Sequence, residues 1–294
     1  MKMKKNVAFL LGVLLISSWV PFFTGCEAVE PPEENVPEEE MEWSEKVQYI
    51  YDHASYDAQE VTTVHQLAIL TSISASLDDK GPITVTPSHL NKEAVTLVTL
   101  GGTQMVEGQA TGMQESQLAS FGKPNDYLTA VVNLFKDGTI PASTPVVLTG
   151  ISLGGMIAQQ LLSVAEVLES HEIRVVITFG SPLTLPLDRH GVKVVRFTDK
   201  NDKVPQMGEL PLNSGMVTVE NMSKTEMKKK MEELNQQEKI LEESKYSGML
   251  DTHALSYISE PCWDPYDFMG EKAGKNVLVL DQAMKFYAAP KISK

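Results

Sequence analysis

Short apolar runs rich in β-branched residues alternate along the chain with stretches in which apolar residues recur at helical spacing. The runs at residues 94–102, 146–149, 174–179 and 192–197 are almost continuously apolar, a pattern typical of strands buried on both faces of a parallel sheet. A helical pattern over residues 127–135 lies between two of them. The alternation predicts an α/β fold in which right-handed crossovers build a mostly parallel central sheet flanked by helices on both faces.

Further elements follow from weaker patterns. One or two helices are expected within residues 43–77, and another helix is expected to follow residue 152 as far as about residue 169. Residues 83–86 could form an edge strand, and residues 277–280 are a further candidate strand. Residues 222–246 are highly charged but keep apolar positions in helical phase, which predicts a long amphipathic helix with one face packed on the domain.

The start of the chain has the anatomy of an export signal. Three lysines precede an apolar stretch at residues 7–23, and Cys26 follows in a context that resembles a bacterial lipoprotein signal. We therefore expect residues 1–25 to be a lipoprotein signal peptide and Cys26 to be lipidated, which would tether the protein to a membrane. A released secreted protein and an uncleaved anchor are the alternatives.

Charge and composition limit the remaining possibilities. Residues 27–42 contain eight glutamates, three prolines and no cation, so residues 26–42 are expected to be an acidic disordered tether. Residues 43–294 are expected to form one folded domain, because 42% of the chain is hydrophobic. The net charge of −14 argues against a nucleic-acid partner, since phosphate binding favours a surplus of lysine and arginine.

The motif Gly-x-Ser-x-Gly at residues 150–154 follows one of the buried strands and precedes a run of strong helix formers. A strand, a sharp turn and a helix would expose the hydroxyl of Ser152 at the sheet edge, where it could act as a nucleophile. The amide of Leu153, at the start of the helix, could then stabilise an oxyanion. The bare motif is common by chance, so the assignment depends on the other groups that catalysis needs.

An acid and a histidine follow in the order that α/β-hydrolases use. Asp199 and Asp202 both lie in the loop after the strand at residues 192–197, and spacing alone does not choose between them. His253 is the histidine that comes after both the serine motif and this loop. Either aspartate could orient the imidazole of His253 without itself transferring a proton.

The segment after the first buried strand supplies two further candidates. Paired glycines precede Thr103, whose amide could be the second oxyanion donor, although an ordinary strand-to-loop turn explains the glycines as well. Residues 104–124 are rich in glycine, glutamine and serine, which fits either a mobile flap over the cleft or a plain surface loop.

Taken together, these blocks resemble the class 3 lipases, an α/β-hydrolase family that includes fungal triacylglycerol lipases. The similarity covers about residues 96–257 and lies in residues 100–103, 149–155, 177–182 and 202–205, with a histidine block near residue 253. The resemblance implies an α/β-hydrolase fold and favours Asp202 over Asp199. The site residues it implies are the catalytic Ser152, Asp202 and His253 and the oxyanion donors Thr103 and Leu153.

The implied activity is hydrolysis of an acyl ester by a serine nucleophile, with no metal and no organic cofactor. A lipase or phospholipase type of acyl hydrolase, held by lipidated Cys26 at the outer face of the bacterial cell membrane, is the first expectation. An esterase acting on short-chain or glycan acyl esters is one alternative. A non-catalytic surface lipoprotein that keeps the fold is the other, since fold alone does not establish function.

Overall fold

The computed structural model describes residues 60–76, 81–104, 107–184, 191–207, 236–241, 249–259 and 266–292. The strands in these ranges are β1 (Glu60–Val61), β2 (Ile83–Leu90), β3 (Glu93–Leu100), β4 (Val146–Ile151), β5 (Ile173–Phe179), β6 (Lys193–Asp199), β7 (Gln236–Leu241), β8 (Leu278–Leu280) and β9 (Lys285–Tyr287). The helices are α1 (Val64–Ser76), α2 (Met113–Ser120), α3 (Asp126–Lys136), α4 (Leu153–Leu161), α5 (Ala165–Ser170), α6 (Val204–Met207) and α7 (Met249–Ser259).

The described strands form one mixed sheet in the order β1-β8-β2-β3-β4-β5-β6-β7, and β9 also pairs with β2. Strands β3, β4, β5, β6 and β7 run parallel to one another. The strands on the β2 side pair antiparallel. The carboxyl ends of β3, β4, β5 and β6 therefore meet at one edge, which is where α/β sheets place their functional loops.

Successive residues of each buried strand point to opposite faces of the sheet, so both faces are apolar. Helices cover both of these faces. In β4, Val146 and Leu148 belong to a core that includes Tyr127 of α3 and Ile157 of α4. Val147 belongs to a second core that includes residues of α1 and α7. The predicted α/β fold, with helices on both faces of a mostly parallel sheet, is confirmed.

Several single elements also match their patterns. The helix predicted at residues 127–135 is α3, whose first turn is capped by Asn125: its side-chain oxygen accepts a hydrogen bond from the amide of Leu128 at 2.8 Å. A helix within residues 43–77 is present as α1, and the strand predicted at residues 277–280 is present as β8.

The edge strand predicted at residues 83–86 is wrong in its extent and its place. Strand β2 continues to Leu90 and has β3 on one side and β8 and β9 on the other. The strands that cover its outer side come from nearly 200 residues further along the chain, so the local pattern does not reveal them.

The single helix expected after residue 152 is two helices in the structure. Helix α4 ends at Leu161, and α5 begins at Ala165 after Val164 in an extended conformation. The hydroxyl of Ser163 donates to the carbonyl oxygen of Gln160 at 2.7 Å, a local bond of the kind that competes with helix continuation.

The long helix predicted at residues 222–246 is contradicted where the structure describes it. Residues 236–241 form β7, which pairs in parallel with β6 along its length. Pairing with the edge of the parallel sheet thus overrides the helical periodicity of this segment. The rest of residues 222–246 lies outside the described residues.

The segment at residues 104–124 contains a helix, α2, rather than loop alone. Helix α2 buries Glu115, Ser116 and Ala119. The signal peptide, Cys26, the acidic tether and the start of the predicted domain, residues 1–59, lie outside the described residues. Among the helices that the structure describes, none combines the length and the apolar character needed to cross a membrane.

Candidate active site

Ser152 occupies the sharp turn between β4 and α4. Its backbone has φ 53° and ψ −120°, a left-handed conformation that is strained for any residue with a side chain. Two glycines make the turn possible. A Cβ added at Gly150 would overlap the backbone of Gly154, and one added at Gly154 would overlap the carbonyl groups of Leu100 and Gly101. The helix can therefore begin directly after Ser152 only because both positions lack a side chain.

Helix α4 begins with the amide of Leu153 beside Ser152. The carbonyl oxygen of Ser152 accepts from the amides of Gly155 and Met156 at 3.1 and 3.2 Å, so the helical hydrogen bonding starts at the serine itself. The first amide of a helix has no acceptor within that helix. The amide of Leu153 is thus a donor at the positive end of a helix dipole, next to the Ser152 hydroxyl.

The structure brings Ser152, His253 and Asp202 into contact at the carboxyl edge of the sheet. His253 lies on α7, and its Nε2 is 3.0 Å from Ser152 Oγ. Its Nδ1 is 2.8 Å from Asp202 Oδ2. Because an ionised carboxylate only accepts hydrogen bonds, Nδ1 carries the proton and donates it to Asp202. Nε2 is then free of a proton and accepts from the hydroxyl of Ser152.

Burial protects the inner part of this arrangement. Asp202 is 0% exposed and His253 is 4% exposed, whereas Ser152 is only half-buried. The carboxylate and imidazole are therefore shielded from water, while the serine hydroxyl is accessible. Hydrogen bonds among such shielded groups are stronger than they would be in solvent.

Asp202, and not Asp199, is the aspartate that reaches His253. Asp202 Oδ1 accepts from the amide of Val204 at 2.9 Å, and the Asp202 amide donates to the Asp199 carbonyl at 3.0 Å. The Asp199 side chain instead accepts from the amide of Asn201 at 2.8 Å. The hydrogen bonds within the turn after β6 thus orient the Asp202 carboxylate towards His253. The Asp199 side chain is used inside the turn itself.

Tyr257 donates a hydrogen bond to the same carboxylate oxygen of Asp202 that His253 contacts. Its hydroxyl donates to Asp202 Oδ2 at 2.8 Å and accepts from the amide of Asp199 at 3.0 Å. Burial raises the pKa of Tyr257 well above its usual value, and the nearby negative charge of Asp202 raises this pKa further. The hydroxyl therefore stays protonated, and able to donate, throughout the neutral pH range.

The sequence places Tyr257 in the histidine block that carries part of the resemblance, but it does not indicate a contact with Asp202. Tyr257 follows His253 by four residues on α7, a spacing that places two side chains on the same helix face. Gly180, after β5, lies in the block at residues 177–182 that also carries part of the resemblance, and the structure places it beside the site. With φ 55°, it passes so close to Tyr257 and Asp202 that an added Cβ would lie 2.8 Å from the tyrosine ring and 3.0 Å from Asp202 Oδ2.

The segment that follows β3 passes directly beside the serine. A Cβ added at Gly102 would lie 3.3 Å from Ser152 Cβ. Thr103 is buried next to this contact, and its Oγ1 is 2.7 Å from the hydroxyl oxygen of Ser116 on α2. The structure thus places Leu153 next to Ser152 in the chain, and Thr103 directly after the glycine that approaches Ser152. No cluster of histidine, cysteine or acidic side chains suited to a metal ion occurs within the described ranges.

The raised pKa of Tyr257 predicts a specific loss of stability at alkaline pH. An unfolded tyrosine loses its proton near pH 10, whereas folded Tyr257 keeps it, so stability falls by about 1.4 kcal/mol per pH unit for this group above that pH. Tyr257→Phe should therefore show a shallower decline of the free energy of unfolding, measured by urea denaturation between about pH 9 and 11. Burial also raises the pKa of Tyr127, so Tyr127→Phe should reduce the slope similarly. If the free energy of unfolding declines equally steeply with pH in wild type and both variants, the pKa of neither tyrosine is raised by burial.

The chain also matches a known protein family over part of its length. The family described as PGAP1-like alpha/beta domain matches residues 114–256, which include Ser152, Asp202 and His253. The match does not point specifically to class 3 lipases. Neither curated proteins nor solved structures yielded a match to the chain. Residues 114–256 are thus similar to a PGAP1-like alpha/beta domain, and the parallel sheet and the serine turn described above agree with this similarity.

Proposed function

We propose that the protein is a serine hydrolase of carboxylic esters. The observation that carries the proposal is the continuous line of contacts from Ser152 Oγ through the His253 ring to Asp202 Oδ2. This is the geometry of a nucleophile, a general base and the acid that orients it. The match to a PGAP1-like α/β domain supports the same conclusion.

In the proposed mechanism, Ser152 Oγ attacks the carbonyl carbon of the ester while His253 Nε2 takes the serine proton. Asp202 stabilises the imidazolium that forms and keeps its orientation, without becoming protonated. The tetrahedral intermediate collapses as His253 gives its proton to the leaving alcohol, which leaves an acyl group on Ser152. Water, activated by the same histidine, then releases the acid and restores the serine.

The negative oxygen of the tetrahedral intermediate needs donors that are already in place. We assign this role to the amides of Leu153 and Thr103. One such donor lowers the barrier by about 3 kcal/mol in comparable sites. The Leu153 amide adds the favourable dipole of α4, and the contact between Gly102 and Ser152 supports the assignment of Thr103.

We further propose a lipase or phospholipase type of acyl ester as the substrate, and a class 3 lipase-like enzyme as the finer assignment. The proposed lipid anchor at Cys26 would keep the enzyme beside acyl lipids. A second candidate is an esterase for short-chain or glycan acyl esters. Helix α2 buries three side chains, so this part of residues 104–124 is packed on the domain and does not form a mobile flap over the cleft. The packing of α2 therefore favours a substrate that needs no flap.

Removal of the nucleophile should abolish both chemistry and labelling. Wild type should react with a fluorophosphonate probe at Ser152 and hydrolyse p-nitrophenyl esters. Ser152→Ala should lose labelling and reduce kcat by on the order of 10⁴-fold or more. A folded wild-type protein that neither labels nor turns over would support a non-catalytic protein instead.

The two neighbouring aspartates provide a matched comparison for the same assay. Asp202→Asn should lower kcat by about 10⁴-fold, because the amide would hold the wrong tautomer of His253. Asp199→Asn has no contact with His253 to lose, so its effect on kcat should be far smaller. Equal losses in the two variants would remove Asp202 from the proposed mechanism.

Acyl chain length should separate the two substrate classes. A lipase-type enzyme should show kcat/KM rising from p-nitrophenyl acetate to palmitate, and further activation when the ester is presented in micelles, because long chains bury more apolar surface. A preference for acetate, with no response to an interface, would reject the lipase assignment and support the short-chain esterase.

We also propose that Cys26 is the lipidated first residue of the mature protein, at the outer face of the bacterial cell membrane. Mass spectrometry of the mature N-terminal peptide should find a diacylated cysteine, and Cys26→Ala should move the protein out of the membrane fraction. An unmodified Cys26 in a membrane-free protein would show that the protein is released instead.

A further inference from the structure

Residues 289–292, here called the strap, lie at the same sheet edge as the candidate active site. Strand β9 pairs with β2 so that Tyr287 is opposite Ile83, and Ile83 is opposite Leu100 at the end of β3. The chain therefore leaves β9 at the carboxyl end of the parallel strands. Thr103 follows β3 at this edge, so the strap and the proposed oxyanion segment share one side of the molecule.

The strap is hydrogen-bonded along one side to residues 108–110. The amide of Ala110 donates to the carbonyl of Ala289 at 2.6 Å, and the amide of Lys291 donates to the carbonyl of Gly108 at 3.0 Å. Gln109 and Pro290 face each other in an antiparallel bridge. The Gln109 side chain adds a third hydrogen bond, because its Oε1 accepts from the amide of Ala289 at 2.8 Å.

Burial and a further bond fix the strap to the domain. Ala289 and Ala110 are both fully buried and belong to the core that contains α3 and α4. The amide of Ile292 donates to Asp126 Oδ2 at 3.0 Å, at the start of α3. The strap is thus a fixed support against which residues 108–110 can be held.

Hydrogen bonds also connect the residues that follow 108–110 with Thr103 and Gln104. The amide of Gln104 donates to the carbonyl of Thr111 at 2.8 Å, and the Thr111 hydroxyl donates to the carbonyl of Gln104 at 3.3 Å. The hydroxyls of Thr103 and Ser116 are 2.7 Å apart. Thr103 and Gln104 are therefore bonded to Ser116 and Thr111, and Thr111 directly follows the residues that the strap holds.

The nucleophile helix secures the far end of this segment. Gln160 on α4 donates from Nε2 to the carbonyl of Ala119 at 2.7 Å, and its Oε1 accepts from Asn125 Nδ2 at 3.3 Å. Helix α4 also carries the Leu153 amide. The two proposed oxyanion donors are consequently linked through α2 and α4, with the strap as the support on the side away from α4.

We infer that the strap positions residues 108–111 and, through them, Thr103, and that Gln109 is the positioning residue through which this effect can be tested. The inference rests on the proposed function, because it assumes that Thr103 supplies an oxyanion donor. Gly108 has φ 80° and nothing lies within 4 Å of a Cβ added there, so this side of the residue faces open space, while its carbonyl is held by the Lys291 amide of the strap. A donor displaced by about 1 Å loses much of its effect on the transition state.

The test compares Gln109→Met, Gln109→Glu and wild type. Methionine keeps the size of the side chain but removes the acceptor for the Ala289 amide, so kcat should fall about tenfold while KM stays within about twofold. The Ki of a trifluoromethyl ketone, which forms a tetrahedral oxyanion on Ser152, should rise in parallel. Gln109→Glu keeps an oxygen acceptor, so its kcat and its Ki should both stay close to the wild-type values.

Gln66→Met is the matched control. Gln66 Oε1 accepts from the amides of Thr62 and Thr63 at 2.8 and 3.1 Å, the same type of bond in a part of the molecule that does not contact the oxyanion segment. This variant should lose comparable stability in urea denaturation and keep the wild-type kcat and Ki. A second pair tests the backbone: Lys291→Pro removes the donor to Gly108 and should act like Gln109→Met, whereas Lys291→Ala keeps it.

The outcomes separate the two proposals. If wild type shows Ser152-dependent turnover but Gln109→Met and Lys291→Pro keep wild-type kcat and Ki, the strap has no positioning role. If Gln66→Met loses as much kcat as Gln109→Met, the effect is one of general stability and the inference fails. If wild type has no Ser152-dependent turnover, the proposed function itself is wrong.

Discussion

The contact of Gly154 with the carbonyl groups of Leu100 and Gly101 is the constraint from which the site geometry follows. It brings α4 against the end of β3 so closely that no side chain fits between them. Ser152 must then take a left-handed conformation, which is held by the surrounding packing. The same contact keeps the start of α4, with the Leu153 amide, close to the segment that leads from β3 to Thr103.

The site also joins the two cores of the molecule. Helix α4 packs on one face of the sheet and α7 on the other, so the contact between Ser152 and His253 is made around the sheet edge. Tyr257 anchors α7 to the turn after β6 through Asp202 and the Asp199 amide. The carboxylate is thereby held by both its backbone turn and the helix that carries the histidine, and this double support gives the imidazole one orientation.

The central fold and the order of the site residues could be predicted because both depend on local patterns. Continuous apolar runs mark β3 to β6, and the turn at Ser152 needs glycines at fixed spacing. The choice between Asp202 and Asp199 depends on the three-dimensional course of one turn, which residue type and spacing do not encode. Strand β7 and the partners of β2 arise from pairing between distant segments, so helical phase at residues 236–241 and a short apolar run at residues 83–86 were misleading. The support of residues 108–110 by the strap is equally non-local.

The placement of β8 and β9 beside β2 has a consequence for how the chain reaches its active form. His89 and Asp281, which pair across this junction, are 192 positions apart in the sequence. Closing so long a loop is entropically costly and slow, so we expect the pairing of β8 and β9 with β2 to form late in folding, after the local β2–β3 hairpin. During synthesis, the nucleophile turn can emerge and begin to fold well before the strap exists. A newly made chain would thus carry its serine before residues 108–110 have their support, and the proposed hydrolytic activity would arise only when folding is complete.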